Sequence, residues 1–258
     1  MSALDFKVAV ITGAAGGLGK AFATSLIKFG KKVIIVGRTE SSLASTAKEI
    51  GALGYYVLDV SKFDTIPTVV NKILKDHPDV DCLINNAGVQ KQLDFTDPNI
   101  TSKLGDVDEE VAINITGLVH LVAAFTPHFI KSDVPSAVMN VSSGLAYVPI
   151  SPVPVYCATK AFVKSFTLSL RHQLRNTKVK VYEIAPPLVE SDLHRDHDNA
   201  DAYTKEKMPH CLTVAEFMSG IEEGWNKGDL DIGVGMAKQR LQAWDSVFKQ
   251  VYGAMNPK

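Results

Sequence analysis

Short runs of β-branched and other apolar residues alternate along the chain with longer stretches in which apolar positions recur at helical spacing. The short runs predict strands over residues 7–11, 32–36, 54–58, 81–84, 137–141, 178–184 and 230–234. The longer stretches predict helices over 18–29, 40–50, 65–76, 106–130, 155–176, 214–228 and 236–252. Apolar runs of strand length fit buried strands, and a 3.6-residue period fits amphipathic helices. Strand and helix in alternation imply βαβ units and a parallel sheet, and right-handed crossovers place helices on both of its faces. No repeat and no low-complexity linker divides residues 1–258, which predicts one α/β domain built on a doubly wound parallel sheet of about seven strands. The longest apolar runs, 8–11 and 33–36, fall short of the roughly 18 residues of a membrane helix. In open parallel sheets ligands sit beyond the carboxyl ends of the strands, so chemistry is expected just after each one.

Composition narrows the function classes. Apolar residues make up 46 % of the chain and the net charge is −1, with both signs mixed along it. Without a basic stripe there is no footprint for nucleic acid, and no membrane partner is expected. Cys82, Cys157 and Cys211 share no short spacing and read as reduced thiols of a cytoplasmic protein. No basic segment followed by an apolar stretch opens the chain, so no secretory signal is expected.

The first strand runs into Thr12-Gly13-Ala14-Ala15-Gly16-Gly17-Leu18-Gly19. Glycines permit a tight turn and a close approach of backbone to a pyrophosphate. A helix starting near Leu18 would present free N–H groups and a positive dipole end to phosphate. The spacing Gly13, Gly17, Gly19 departs from the usual G-x-G-x-x-G dinucleotide fingerprint. Strand two ends Val36-Gly37-Arg38-Thr39, with no carboxylate before Glu40. An acidic residue there would bind a ribose 2′-hydroxyl and repel a 2′-phosphate, whereas the Arg38 guanidinium suits a phosphate. NADP(H) is therefore expected over NAD(H), with Glu40 a possible ion-pair partner for Arg38.

Further along, Asn85-Asn86-Ala87-Gly88 follows strand four, Asn114 lies inside the long helix, Ser143 follows strand five, and Tyr156-x-x-x-Lys160 opens the next helix. An i, i+4 spacing puts Tyr156 and Lys160 on one helix face. A phenol has an ordinary pKa near 10. An ammonium at about 4 Å in an effective dielectric of about 20 is worth roughly 4 kcal/mol, enough to bring the phenol toward neutrality. Ser143 and Ser142 compete for the role of hydroxyl donor to a developing oxyanion.

In this order and register the motifs resemble the short, single-domain branch of the short-chain dehydrogenase/reductase family over about residues 6–235, within a sub-branch of bacterial and fungal oxidoreductases. The Ser143-to-Tyr156 interval of thirteen is the family's usual one. The resemblance implies a Rossmann-type fold in which Tyr156 is the general acid/base and Lys160 lowers its pKa and holds the cofactor ribose. It makes Ser143 the residue that orients the carbonyl oxygen. It implies that Asn114 marks a helix distortion serving a proton relay. Gly13, Gly17, Leu18, Gly19, Arg38, Asp59, Asn86, Ala87, Gly88, Val189 and Ser191 would then hold the cofactor, with Tyr156 and Lys160.

Two segments depart from the family pattern. Residues 185–191, Ala-Pro-Pro-Leu-Val-Glu-Ser, stand where Pro-Gly is common, and the tail ends in an amphipathic helix with Leu241, Trp244, Val247, Phe248 and Tyr252. That helix reads as packed against the body of the protein, with subunit contact as a second role. Residues 186–212, including Leu188, Leu193 and Tyr203, are read as a substrate-covering loop. His194, His197 and His210 in it lack metal-site spacing, and no metal is expected. Cys157 is read as small packing. Leu145, Tyr147, Val148 and Val153 suggest an apolar substrate.

The reading is an NADP(H)-dependent carbonyl reductase or alcohol dehydrogenase, taking a small-molecule carbonyl or alcohol. Two alternatives stand beside it, a non-catalytic nucleotide sensor and a lyase or epimerase on the same scaffold. The helices 106–130 and 155–176 resemble the family's dimer-forming pair, so a homodimer or homotetramer is expected.

Overall fold

Side chains on successive positions of a strand point to opposite faces, and the first strand is buried along its whole length. In the computed structural model, which describes residues 3–194, 197 and 199–256, this strand is β1 (Val8–Thr12). Val8 and Val10 enter one apolar cluster with Val70, Phe125 and Phe129. Ala9 and Ile11 enter another with Phe22, Phe217 and Trp225. A strand covered on both faces is the signature of a parallel sheet between helical layers.

The remaining strands are β2 (Lys32–Gly37), β3 (Gly54–Val57), β4 (Cys82–Asn85), β5 (Ser136–Val141), β6 (Val179–Ala185) and β7 (Asp231–Gly233). All seven are parallel, in the order β3-β2-β1-β4-β5-β6-β7. The order reverses beside β1, and there the chain leaves β1 and β4 in opposite directions. That is the crevice where doubly wound sheets bind ligands. Each predicted strand is present, displaced by only a residue or so at its ends. The predicted doubly wound fold is the observed one.

The helices are α1 (Gly17–Lys28), α2 (Glu40–Ile50), α3 (Ile66–Asp76), α4 (Leu104–Val111), α5 (Leu118–Ser132), α6 (Pro154–Gln173), α7 (Val214–Lys227) and α8 (Met236–Met255). The single helix expected over 106–130 is two helices joined by a wide π turn, Ala112–Gly117, and the distortion expected at Asn114 falls inside it. Inside it Asn114 turns its amide away from the helix, accepting from Val89 N at 2.9 Å and donating to Val89 O at 2.9 Å. Gly117 lies so near β3's continuation that a Cβ there would stand 2.4 Å from the Val60 carbonyl oxygen. The whole stretch Ile100–Ser132 is long and apolar enough by length and composition to cross a membrane, although no uninterrupted apolar run is. Here Leu121, Val122, Phe125 and Phe129 bury its apolar side against the sheet.

Candidate active site at the carboxyl edge of the sheet

Gly13 and Gly17 have φ of +65° and +51°, a region that favours glycine. A Cβ on Gly13 would stand 2.9 Å from the Ala87 Cα, so the turn after β1 and the segment after β4 touch backbone to backbone. Asn86 ties them further, its amide donating to Thr12 O at 2.9 Å and Gly13 O at 3.1 Å. No side chain caps α1 at Gly16, which leaves its first N–H groups facing the cleft, as an anion site requires.

One cleft of about 730 Å³ runs along this edge. Gly13, Gly17, Leu18, Arg38, Asp59, Asn86, Ala87, Gly88, Ser143, Tyr156, Lys160, Val189 and Ser191 all line it. Gly19 and Asn114 stand behind the wall. A Cβ on Gly19 would lie 2.3 Å from the Gly13 carbonyl oxygen, so this glycine lets helix sit on turn.

At the β2 end, Arg38 lies 3.6 Å from Glu109, not against Glu40. Burial works to raise the Asp59 carboxyl, but hydrogen bonds from Ser61 and the nearby Arg38 charge hold it below its ordinary value. At the other end three buried side chains converge. The Ser143 hydroxyl is near enough to Tyr156 to work against the rise of its pKa. Lys160 Nζ donates to Val141 O at 2.9 Å and stands 5.6 Å from the centre of the Tyr156 ring. Ser143 Oγ accepts from Leu145 N at 3.0 Å. Ser142 is taken elsewhere, donating at 2.5 Å to the buried Glu183. That separates the two competing serines and leaves Ser143 facing the phenol.

The electrostatics differ from the sequence expectation. Burial pushes the Tyr156 phenol above its ordinary value, opposed by the Ser143 hydrogen bond and reinforced by the Glu110 charge. Burial also brings the Lys160 ammonium down to about 8, against the pull of Glu110. Lys160 donates a hydrogen bond to a backbone carbonyl and lies over the ring, not at the hydroxyl, so it does not draw the phenol down here. Asn114 sits close by. A Cβ on Gly88 would lie 3.2 Å from Asn114 Oδ1 and 3.5 Å from Lys160 Nζ, and the Asn114 amide also donates to Thr159 Oγ1 at 3.1 Å.

The loop over the cleft brings in His194, His197 and Tyr203, which line it too; residues 195, 196 and 198 of that loop lie outside the described ones. The His194 ring stacks on Tyr203 at 4.3 Å, and His197 Nδ1 lies 3.1 Å from the Tyr203 hydroxyl. Burial and the neighbouring His197 bring His194 down to about 4, so it is a neutral aromatic wall. Cys157 packs beside Val153, its sulfur 3.5 Å from Ile150 N.

Three features escaped the sequence reading. Glu183 is buried with Lys164 Nζ at 3.4 Å and the Tyr147 hydroxyl at 2.9 Å, bracing the turn that carries Ser143. Its signal was a carboxylate in the middle of a strand-like run. Glu110 is fully buried, with burial raising it to about 7; its signal was its position four residues before Asn114. The third is Arg240, which reaches the cleft from α8.

A sequence model of the short chain dehydrogenase family matches residues 7–202. An uncharacterized oxidoreductase, DltE of Bacillus subtilis, is 36 % identical over 242 residues, covering 94 % of this chain and 95 % of that one. The NADP-dependent 3-hydroxy acid dehydrogenase of Schizosaccharomyces pombe is 33 % identical over 221 residues, covering 81 % and 83 %. Among solved structures, a short chain dehydrogenase/reductase from Burkholderia phymatum in complex with NAD superposes with a TM-score of 0.80 at 23 % identity, over 100 % of this chain and 98 % of that one.

Proposed function

This chain belongs to the short chain dehydrogenase family, and we propose that it is an NADP(H)-dependent carbonyl reductase or alcohol dehydrogenase. The convergence of Ser143, Tyr156 and Lys160 at one end of a cleft whose other end holds Arg38 carries this reading. The open N-terminus of α1, the turn at Gly13 and the cleft's length fit a dinucleotide. When bound, the nicotinamide supplies or takes up the hydride. Ser143 orients the substrate oxygen by hydrogen bonding, and Tyr156 gives that oxygen its proton during reduction. A phenol held above its ordinary pKa stays protonated, the form that donates, but is a weak acid; for turnover its pKa has to come down toward the working pH, the role proposed for the Lys160 ammonium. Lys160 returns a proton to Tyr156, with Asn114, held on the Val89 backbone, close beside it. A complete donor set is more than a sensor needs, and a proton donor beside a hydride site favours net redox turnover over a lyase or epimerase.

Arg38 selects the cofactor. No carboxylate stands in β2 or between it and Glu40 to take a ribose 2′-hydroxyl, and a 2′-phosphate would compete with Glu109 and nearby Asp59 for the guanidinium. The name of the S. pombe relative supports NADP and alcohol chemistry; the NAD complex from B. phymatum sets the opposite case to be tested. Titration with NADPH and with NADH, followed by nicotinamide fluorescence, decides it. NADPH is expected to bind at least tenfold more tightly, and Arg38→Ala to remove most of that preference. Equal or tighter binding of NADH would overturn the assignment. Buried, unpaired Cys82, Cys157 and Cys211 support a cytoplasmic setting.

A further inference from the structure

Three basic side chains of the Arg/Lys type line the cleft: Arg38, Lys160 and Arg240. Arg38 faces Glu109 at the end of β2, and Lys160 is bound to Val141 O behind Tyr156. Arg240 makes no ion pair or hydrogen bond among the described residues. It lies at the reacting end, where its Nη1 is 3.5 Å from the point a Gly144 Cβ would occupy. Gly144 is the residue next to Ser143.

The fold holds the helix that carries this guanidinium against the Ser143 turn. Gly144 has no side chain, and a Cβ there would meet the Ala237 Cβ at 3.0 Å, so the first turn of α8 rests on the Ser143 turn itself. A Cβ on Gly233 would likewise meet the Lys238 backbone at 2.8 Å. Arg240 follows Ala237 by three residues and so shares its helix face. Among the described residues the carboxylates that line the cleft are Asp59, after β3, and Asp192, beside Gly16, and neither pairs with Arg240. Around the phenol the cleft has an apolar side, where Val153, Leu145 and Leu193 pack with Tyr156 and Ile150 and Pro152 also line the wall.

A guanidinium without a partner among the described residues, at a cleft with apolar walls, is a carboxylate receptor, since it can donate two parallel hydrogen bonds to one. We propose that Arg240 is an anion-recognition residue and that the substrate is an oxo acid or hydroxy acid, its carboxylate on Arg240 and its carbonyl or carbinol oxygen at Ser143 and Tyr156. This identification of the substrate class rests on the oxidoreductase reading; the anion site itself does not.

The test compares 3-oxobutanoate with its methyl ester in NADPH oxidation, in wild type, Arg240→Gln and Arg240→Lys. The wild-type kcat/KM ratio of acid to ester is expected to exceed ten, to fall at least tenfold in R240Q chiefly through KM, and to recover in part in R240K. An acid-to-ester ratio that is the same in wild type and R240Q overturns the proposal. In parallel, ligand-observed NMR measures binding of butanoate and butanamide with NADPH present. If no carbonyl compound is turned over, the reductase reading fails, and NMR alone decides the anion site. Butanoate binding that R240Q abolishes then supports the site; binding that is absent, or equal in both proteins, overturns it.

Discussion

Glu110 has been taken out of water with one hydrogen bond, from Lys91 N at 3.2 Å to Oε1, while its Oε2 has no partner among the described residues. Burial raises its pKa from 4.5 to about 7 despite the nearby charges of Lys160 and Lys91. Between those two values the folded protein binds more protons than the unfolded chain, so stability falls as pH rises through that window. The full difference corresponds to roughly 3 kcal/mol lost above pH 7, at about 1.4 kcal/mol per pH unit. Glu110→Gln keeps the acceptor for Lys91 N and removes the charge. It is expected to be more stable than wild type by about 2–3 kcal/mol at pH 8, the gap closing by pH 5. Urea unfolding at the two pH values measures it, and parallel stability curves would refute it. The same charge adds to burial in raising the Tyr156 phenol and partly offsets burial at the Lys160 ammonium. Its neighbours in sequence, Asp108 and Glu109, give no hint that it alone is buried.

At the scale of elements, inner strands such as β1 and β2 were legible because burial on both faces leaves them mostly apolar, and the cofactor turn was legible because backbone contact there demands glycine. The break in the long helix was not legible from periodicity. A π turn inserts about one residue per turn, which shifts the apolar stripe too little to show in a pattern of this length. Only Asn114 marked it, and a mid-helix asparagine is by itself a mild signal. The structure gives that residue three hydrogen bonds, to Val89 N, Val89 O and Thr159 Oγ1. Asn114→Ala leaves the Val89 backbone groups without these partners, and each unsatisfied buried group costs about 1–3 kcal/mol. A loss of about 2–4 kcal/mol is expected on those grounds, read as a lower denaturation midpoint at unchanged m-value. A loss under about 0.5 kcal/mol would mean that the helix closes into a regular α turn and rescues the contacts. The charged brace of Glu183, Lys164 and Tyr147 was likewise invisible, because its members are 36 and 19 residues from one another along the chain.

For the whole molecule, topology explains why distant motifs share one cleft. Every strand in a parallel sheet ends on the same edge, so residues 13, 38, 59, 86, 143 and 189 meet without any being near another in sequence. That much follows from alternation of strand and helix alone. The side chains that face a second copy do not, because an apolar residue on a helix face reads the same whether the sheet or a partner covers it. The α4 and α6 helices pack side by side, and they leave Leu104, Val111 and Phe162 exposed. Phe162 stacks on Phe166 at 5.9 Å with their planes only 9° apart, a flat aromatic step on that face. Exposed apolar groups gathered on one face mark an association surface. We propose that two copies pair there, each presenting the same helices to the other about a two-fold axis. Light scattering at micromolar concentration is expected to give at least a dimer, and Phe162→Glu, which places two like charges near the axis, is expected to give monomers that still bind NADPH. A monomeric wild type, or an F162E protein of unchanged mass, would place the association surface elsewhere or remove it.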